Sequence, residues 1–271
     1  MSERREDLVV ARAEQLWAPS GRRAFLRQLG LGGAVVLLPT VFAACADDGD
    51  LTGVSGAGAA VLNLGTDTGI LNYAYALEQL EAAFYTAVLA SSAFGGMSAE
   101  QKEVFTDLRN HEVVHREFLR AALGSGAIGT LALSQSAVAS TLTNTATILR
   151  NAEAFEDLGV AAYNGAGKYL TSADFLTIAG KIVSVEARHA AAIRDLREAA
   201  GISTVAAGTR FAGDDVVLPP GGPYQGLDVK LEPSAVLGRV GATGLVDTAI
   251  TVTGPGARNG TPDFGPPNPT P

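Results

Sequence analysis

The sequence predicts an all-α protein: a four-helix bundle with one long crossover between its second and third helices, followed by an irregular C-terminal extension. Three observations predict it. Apolar residues recur at three- and four-residue intervals over four stretches between residues 67 and 201, the spacing that gathers them on one face of a helix. These stretches form two close pairs separated by the Gly/Ser/Thr/Ala-rich residues 124–143, the arrangement of a bundle with a single long connection. The two pairs also repeat one another. Residues 76–85 (ALEQLEAAFY) align with 154–163 (AFEDLGVAAY), matching Glu78 with Glu156, Leu80 with Leu158 and Tyr85 with Tyr163; Glu112-Val-Val-His115 with Leu119-Arg120 aligns with Glu186-Ala-Arg-His189 with Ile193-Arg194.

Taken in order, the chain opens with a targeting segment. Residues 21–27 carry a twin-arginine pair, Arg22-Arg23, followed by Phe25, Leu26 and Arg27; an apolar run over 29–44 then ends in Val41-Phe42-Ala43-Ala44 before Cys45. A basic region, a short apolar run and small residues ahead of a cut site make residues 1–44 a signal peptide, and the arginine pair resembles the bacterial Tat export signal. Cys45 stands where a lipoprotein would be processed and anchored. The run is broken by Gly30, Gly32, Gly33 and Pro39, so it falls short of the ~20 apolar residues a spanning helix needs. Residues 45–66 lack a strong period and read as a flexible tether.

The first helix is expected over about 67–92, with Ile70, Leu77, Leu80, Phe84 and Val88 on one stripe. Ser98 opens the second as its N-cap, Gln101 completes a capping box, and the helix runs to Leu123 before Gly124. The third runs from about Asn144 to Leu170, and the fourth from Ser172 or Asp174 to Gly201. In the extension, residues 202–271, the segments 229–236 and 246–252 suit short strands or packing on the bundle. From Gly254 onward the Pro/Gly/Asn-rich composition reads as disordered.

With 28 acidic and 20 basic side chains, a net charge of −8, the chain has no footprint for a phosphate backbone, which excludes nucleic-acid binding. One cysteine excludes an intramolecular disulfide framework and a multi-cysteine zinc site. There are only three histidines, and two lie in the repeated Glu-x-x-His. Residues i and i+3 project from one face of a helix. Two such helices, plus Glu78 and Glu156 from the other two, would bring four carboxylates and two imidazoles together, the donor set of a di-iron or di-manganese carboxylate bundle. Two divalent ions carry +4, which four carboxylates balance, and oxygen with imidazole donors suits Fe or Mn better than structural zinc. Against this, a single Glu-x-x-His is ordinarily solvated helix surface, and Arg120 and Arg188 are near enough in sequence to form salt bridges instead. His111 has Val185 as its counterpart and is expected outside the ligand set. Glu81 has Gly159 as its counterpart and is a reserve ligand of the first helix. Tyr85 and Tyr163, two turns beyond their glutamates, read as core residues with satisfied hydroxyls.

On these residues the sequence resembles the ferritin-like superfamily, and more closely the exported ferritin-like-domain proteins related to desiccation-associated proteins. The resemblance covers residues 67–201, about half of the chain, and every motif position is present. It implies Glu78, Glu112, His115, Glu156, Glu186 and His189 as ligands of two Fe or Mn ions, with Glu112 and Glu186 bridging and each histidine completing one ion. It implies an exported periplasmic or cell-envelope protein that oxidises Fe(II) or reacts with dioxygen or peroxide in stress protection. The alternative is a non-enzymatic structural or desiccation-protective bundle without a functional metal centre; a third reading is a surface module with solvent-facing glutamates. The expected partners are metal ions, no nucleic acid, and a membrane only through a lipid anchor at Cys45, with homo-oligomerisation left open.

Overall fold

The structure, a computed structural model, describes residues 60–202 and 228–256. The expected signal peptide, Cys45 and most of the expected tether lie outside the described residues, as does the chain beyond residue 256.

Four long helices make the body: α1 (Asp67–Ala90), α3 (Ala99–Leu123), α5 (Thr145–Ala166) and α6 (Ala173–Ala199). A one-turn α2 (Ser92–Gly95) lies in the first connection. Each long helix begins where a side chain can satisfy its free N–H groups. Thr66 accepts from Gly69 N, Asn144 from Thr147 N and Ser172 from Phe175 N. Ser98 and Gln101 form the reciprocal capping box, at 3.1 and 3.0 Å. α1 and α3 run antiparallel: Asn72, near the start of α1, bonds Gly126 O and Ile128 N just beyond the end of α3. α5 and α6 do the same, with Glu153 near the start of one paired to Arg197 near the end of the other. Asp67 fastens the two pairs by accepting from the backbone of Thr171 and Ser172 at 2.8 and 2.9 Å.

α1 is buried almost all round, from Gly69 to Ala82 without interruption. The crossover explains this. Residues 127–134 run along α1, where Gln79 Oε1 accepts from Leu131 N and Gln79 Nε2 donates to Gly129 O. The crossover also contains a helix the sequence reading did not anticipate, α4 (Gln135–Thr141), capped by Ser134.

The extension departs further from expectation. Residues 233–243 form a helix, α7 (Pro233–Thr243), where a strand was one expectation, with Pro at its first turn and Gly244 in the left-handed conformation closing it. Only the second segment gives a strand, β2 (Ile250–Thr253). It pairs in parallel with β1 (Ala60–Asn63), in register Ala60 to Ile250 through Asn63 to Thr253. Thus the last residues assigned to the tether are part of the fold, with Leu62 and Leu64 buried beside Leu231, Val236 and Val240 in one core. Leu231 N donates to Ala161 O at 2.9 Å. That approach requires Gly165, since a Cβ there would stand 1.8 Å from Leu231 O. Among the described residues, no helix is long and apolar enough to cross a membrane.

Candidate metal centre

The six residues singled out by the repeat converge inside the bundle. Glu78 comes from α1, Glu112 and His115 from α3, Glu156 from α5, Glu186 and His189 from α6. All four glutamates are 0% exposed and His189 is 5% exposed, which rules out the surface-module reading. The residues fall into two overlapping groups. Glu78, Glu112, His115 and Glu186 form one, and Glu112, Glu156, Glu186 and His189 the other, with donor atoms inside each group within 4.8 Å of one another. Glu112 and Glu186 belong to both.

Each imidazole faces three carboxylates through one nitrogen. Nδ1 of His115 lies 3.0 Å from Glu186, 3.3 Å from Glu112 and 3.4 Å from Glu78. Nδ1 of His189 lies 2.8 Å from Glu112, 3.2 Å from Glu156 and 3.8 Å from Glu186. One N–H points in one direction, so it cannot satisfy three oxygens. Accordingly Glu78 Oε2, Glu112 Oε1 and both oxygens of Glu186 are buried without a well-directed hydrogen bond; the 2.8 Å approach of Glu112 Oε1 to His189 is short but misaligned. Arg120, offered as a salt-bridge partner, instead pairs with Glu117. Arg194 and Arg197 pair with Asp157 and Glu153. Among the described residues, no lysine or arginine forms an ion pair with the four glutamates, so the carboxylates outnumber the cationic groups. A dry core tolerates such an excess only with a compensating cation or with carboxylates that take up protons. The cluster could hold a metal ion.

Its electrostatics have the same cause. Burial, helped by Glu186, pushes Glu78 well above the carboxylate range. Burial also lifts Glu156 to about 8 against the pull of His189. Glu112 goes the other way, held at about 2 despite its burial by contacts with both imidazoles. His115, although buried, is raised to about 12 by Glu112, Glu186 and Glu78, and His189 is raised as well.

A second layer holds these side chains. Tyr163 on α5 donates to Glu78 Oε1 on α1, and Tyr85 on α1 donates to Glu156 Oε1 on α5. These reciprocal bonds are the two-fold repeat in three dimensions. Both tyrosines are buried with satisfied hydroxyls, as expected, but their partners are the candidate ligands, which the sequence reading did not foresee. The signal was available, because Tyr85 and Tyr163 align in the same repeat that aligns Glu78 with Glu156. His111 stands outside both groups and bonds the far nitrogen of His189, Nδ1 to Nε2 at 2.9 Å, with the rings stacked. Burial and the neighbouring imidazoles push His111 down, the carboxylates raise His189 despite its burial, and the contact between the two rings leaves Nδ1 of His189 facing the carboxylates.

A four-helix bundle with one crossover and a carboxylate–histidine cluster on its inner face defines a class of protein. The protein family described as ferritin-like domain matches residues 66–199, a span that contains all four long helices and all six cluster residues. The bundle is a ferritin-like domain of the ferritin-like superfamily. No curated protein matches the chain.

Proposed function

We propose that the bundle holds a carboxylate-bridged dinuclear Fe or Mn centre. The observation that carries this reading is the pair of overlapping groups, each with one imidazole and three carboxylates, sharing Glu112 and Glu186 and leaving buried oxygens without a directed donor. Glu78 and His115 would serve one ion, Glu156 and His189 the other, and the shared glutamates both. Oxygen and imidazole donors without thiolate favour Fe or Mn. Such a pair, when bound, would supply the capacity to react with dioxygen or peroxide, which would serve as the oxidant for Fe(II).

The chain's own residues prepare the site. Tyr163 and Tyr85 orient the terminal glutamates, and His111 orients His189. Complete burial of the glutamates excludes bulk water and strengthens their hold on a cation. Glu156, raised to about 8, carries a proton at neutral pH that it must release as a cation arrives. The twin arginines Arg22 and Arg23 support export of the folded, loaded chain, and Cys45 supports a lipid anchor in the cell envelope. In that setting the domain would remove reactive oxygen species or Fe(II) under stress.

The test is a metal count on the purified protein, alongside a His115→Ala/His189→Ala double variant. The reading predicts about two equivalents of iron or manganese per chain, lost in the variant. No bound metal after anaerobic Fe(II) loading would contradict it and leave a structural bundle.

A further inference from the structure

We infer that an apolar cavity at one end of the bundle is a dry holding site for one small apolar molecule, the class to which dioxygen belongs. The choice of dioxygen rests on the dinuclear reading above; the site itself does not. The cavity encloses about 20 Å³ between α1, α3, α5 and α6, room for little more than one water-sized sphere. Among its lining residues only Tyr73 and Tyr163 carry a polar side-chain atom. The Tyr163 hydroxyl is already committed to Glu78. A buried water needs about two to four polar partners, so these walls favour an apolar occupant. The cavity also continues the helix faces that carry the cluster. Ala74 stands one turn before Glu78, Leu119 one turn beyond His115 and Ile182 one turn before Glu186. Tyr163 joins the two, its side chain lining the cavity and its hydroxyl bonded to Glu78. The walls pass from the half-buried Leu170, Ile178 and Ala179 to the buried Leu77, Leu119 and Ala162.

The two-fold repeat shows what makes this space. Its alignment pairs Leu77 with Phe155, Ala162 with Phe84 and Ala179 with Phe105. Towards the other end of the bundle those three phenylalanines are all buried. The rings of Phe84 and Phe155 meet edge to face, 4.8 Å between centroids, and Phe105 packs on Tyr85 at 6.0 Å. At the cavity end each phenylalanine is exchanged for a smaller apolar side chain. An empty apolar cavity costs stability in proportion to its volume. The residues that would fill this one are present in the chain's own repeat, yet this half does without them. A bound apolar molecule offsets the cost, because it binds the folded chain alone.

The experiment is xenon-pressurised crystallography on the full-length, metal-free protein, since xenon is an apolar sphere that needs neither metal nor turnover. A xenon peak is expected in the cavity, in contact with Leu77, Ala162 and Ala179, and none at the phenylalanine-filled end. Ala162→Phe and Ala179→Phe each install the counterpart from the repeat and should lose that peak. In the Fe(II)-loaded protein, Ala179→Phe should bind the parent's number of ions yet consume dioxygen several-fold more slowly. A parent cavity that takes no xenon, or that holds ordered water instead, overturns the inference, whether or not the phenylalanine variants fold. A xenon peak in the parent, joined to an unchanged rate of dioxygen consumption in Ala179→Phe, overturns the assignment to dioxygen. A parent that binds no iron overturns the dinuclear reading alone, and the xenon result still decides the site.

Discussion

Glu112 and Glu186 each face both imidazoles, and Tyr163 and Tyr85 fix the glutamates at either end. Removing a hydroxyl that orients a ligand should weaken the site without disturbing the helices. Tyr163→Phe is therefore expected to lower metal affinity about 10- to 100-fold, read by chelator competition, with the helical circular dichroism unchanged. Protonation gives a second prediction. Glu156 at about 8 and His115 at about 12 bind protons more tightly in the metal-free fold than in the unfolded chain, where their values are near 4.5 and 6.5. Their contribution is complete below those unfolded values and is lost as pH rises towards 8 and 12. Glu112, held at about 2, contributes above 4.5 and loses that contribution only as pH falls towards 2. The metal-free protein should accordingly melt higher at about pH 6 than at about pH 8.5, while metal affinity rises over the same interval as protons are displaced. Thermal melts at the two pH values check the first statement; a melting point that rises with pH contradicts it. All six clustered residues could be read from the sequence because a helical period and a repeat are local patterns. The second layer was signalled only by Tyr85 and Tyr163 aligning in the same repeat; which glutamate each one bonds, across 85 and 71 residues, becomes explicit only once α1 and α5 are side by side.

The long helices were readable to within a few residues because their caps are local: Ser98 with Gln101, Asn144 and Ser172 mark their own starts. α5 is the exception. It ends at Ala166, short of the expected Leu170, and a 3₁₀ turn follows over Gly167–Tyr169. What stayed hidden are the short elements. β1 and β2 gain their meaning from each other across most of the chain, and α7 from the core it covers, so neither has a periodic pattern long enough to announce it. α7 did carry its punctuation, Pro233 at the first turn and Gly244 after the last. Its docking gives a prediction. Gly165→Ala would force a methyl against Leu231 O, so urea unfolding should show a loss of about 1–3 kcal/mol. An unchanged midpoint would mean that the segment around Leu231 does not hold to α5 as described.

The assembled domain is a two-fold repeat with a strap. The repeat delivers matched halves of a cluster, and the asymmetries fall beside it: His111, opposite Val185 in the alignment, bonds His189, and a Cβ on Gly159, opposite Glu81, would stand 3.4 Å from Glu186. The strap is β1 with the C-terminal segment, which closes the core through Leu62, Leu64, Leu231 and Val236. Because none of its residues belongs to either group of the cluster, damage to it should separate stability from metal binding. Leu231→Ala should cost about 2–5 kcal/mol in chemical denaturation while leaving the metal count of the folded protein unchanged. The central claim is that one chain holds two ions through shared glutamates. Anomalous diffraction at the iron and manganese edges, on crystals of the loaded protein, tests it most directly. The account predicts two peaks inside the bundle, one beside Nδ1 of His115 with Glu78 and one beside Nδ1 of His189 with Glu156, with Glu112 and Glu186 contacting both. A loaded crystal with no peak there, or with ions bound only at the surface, would contradict it.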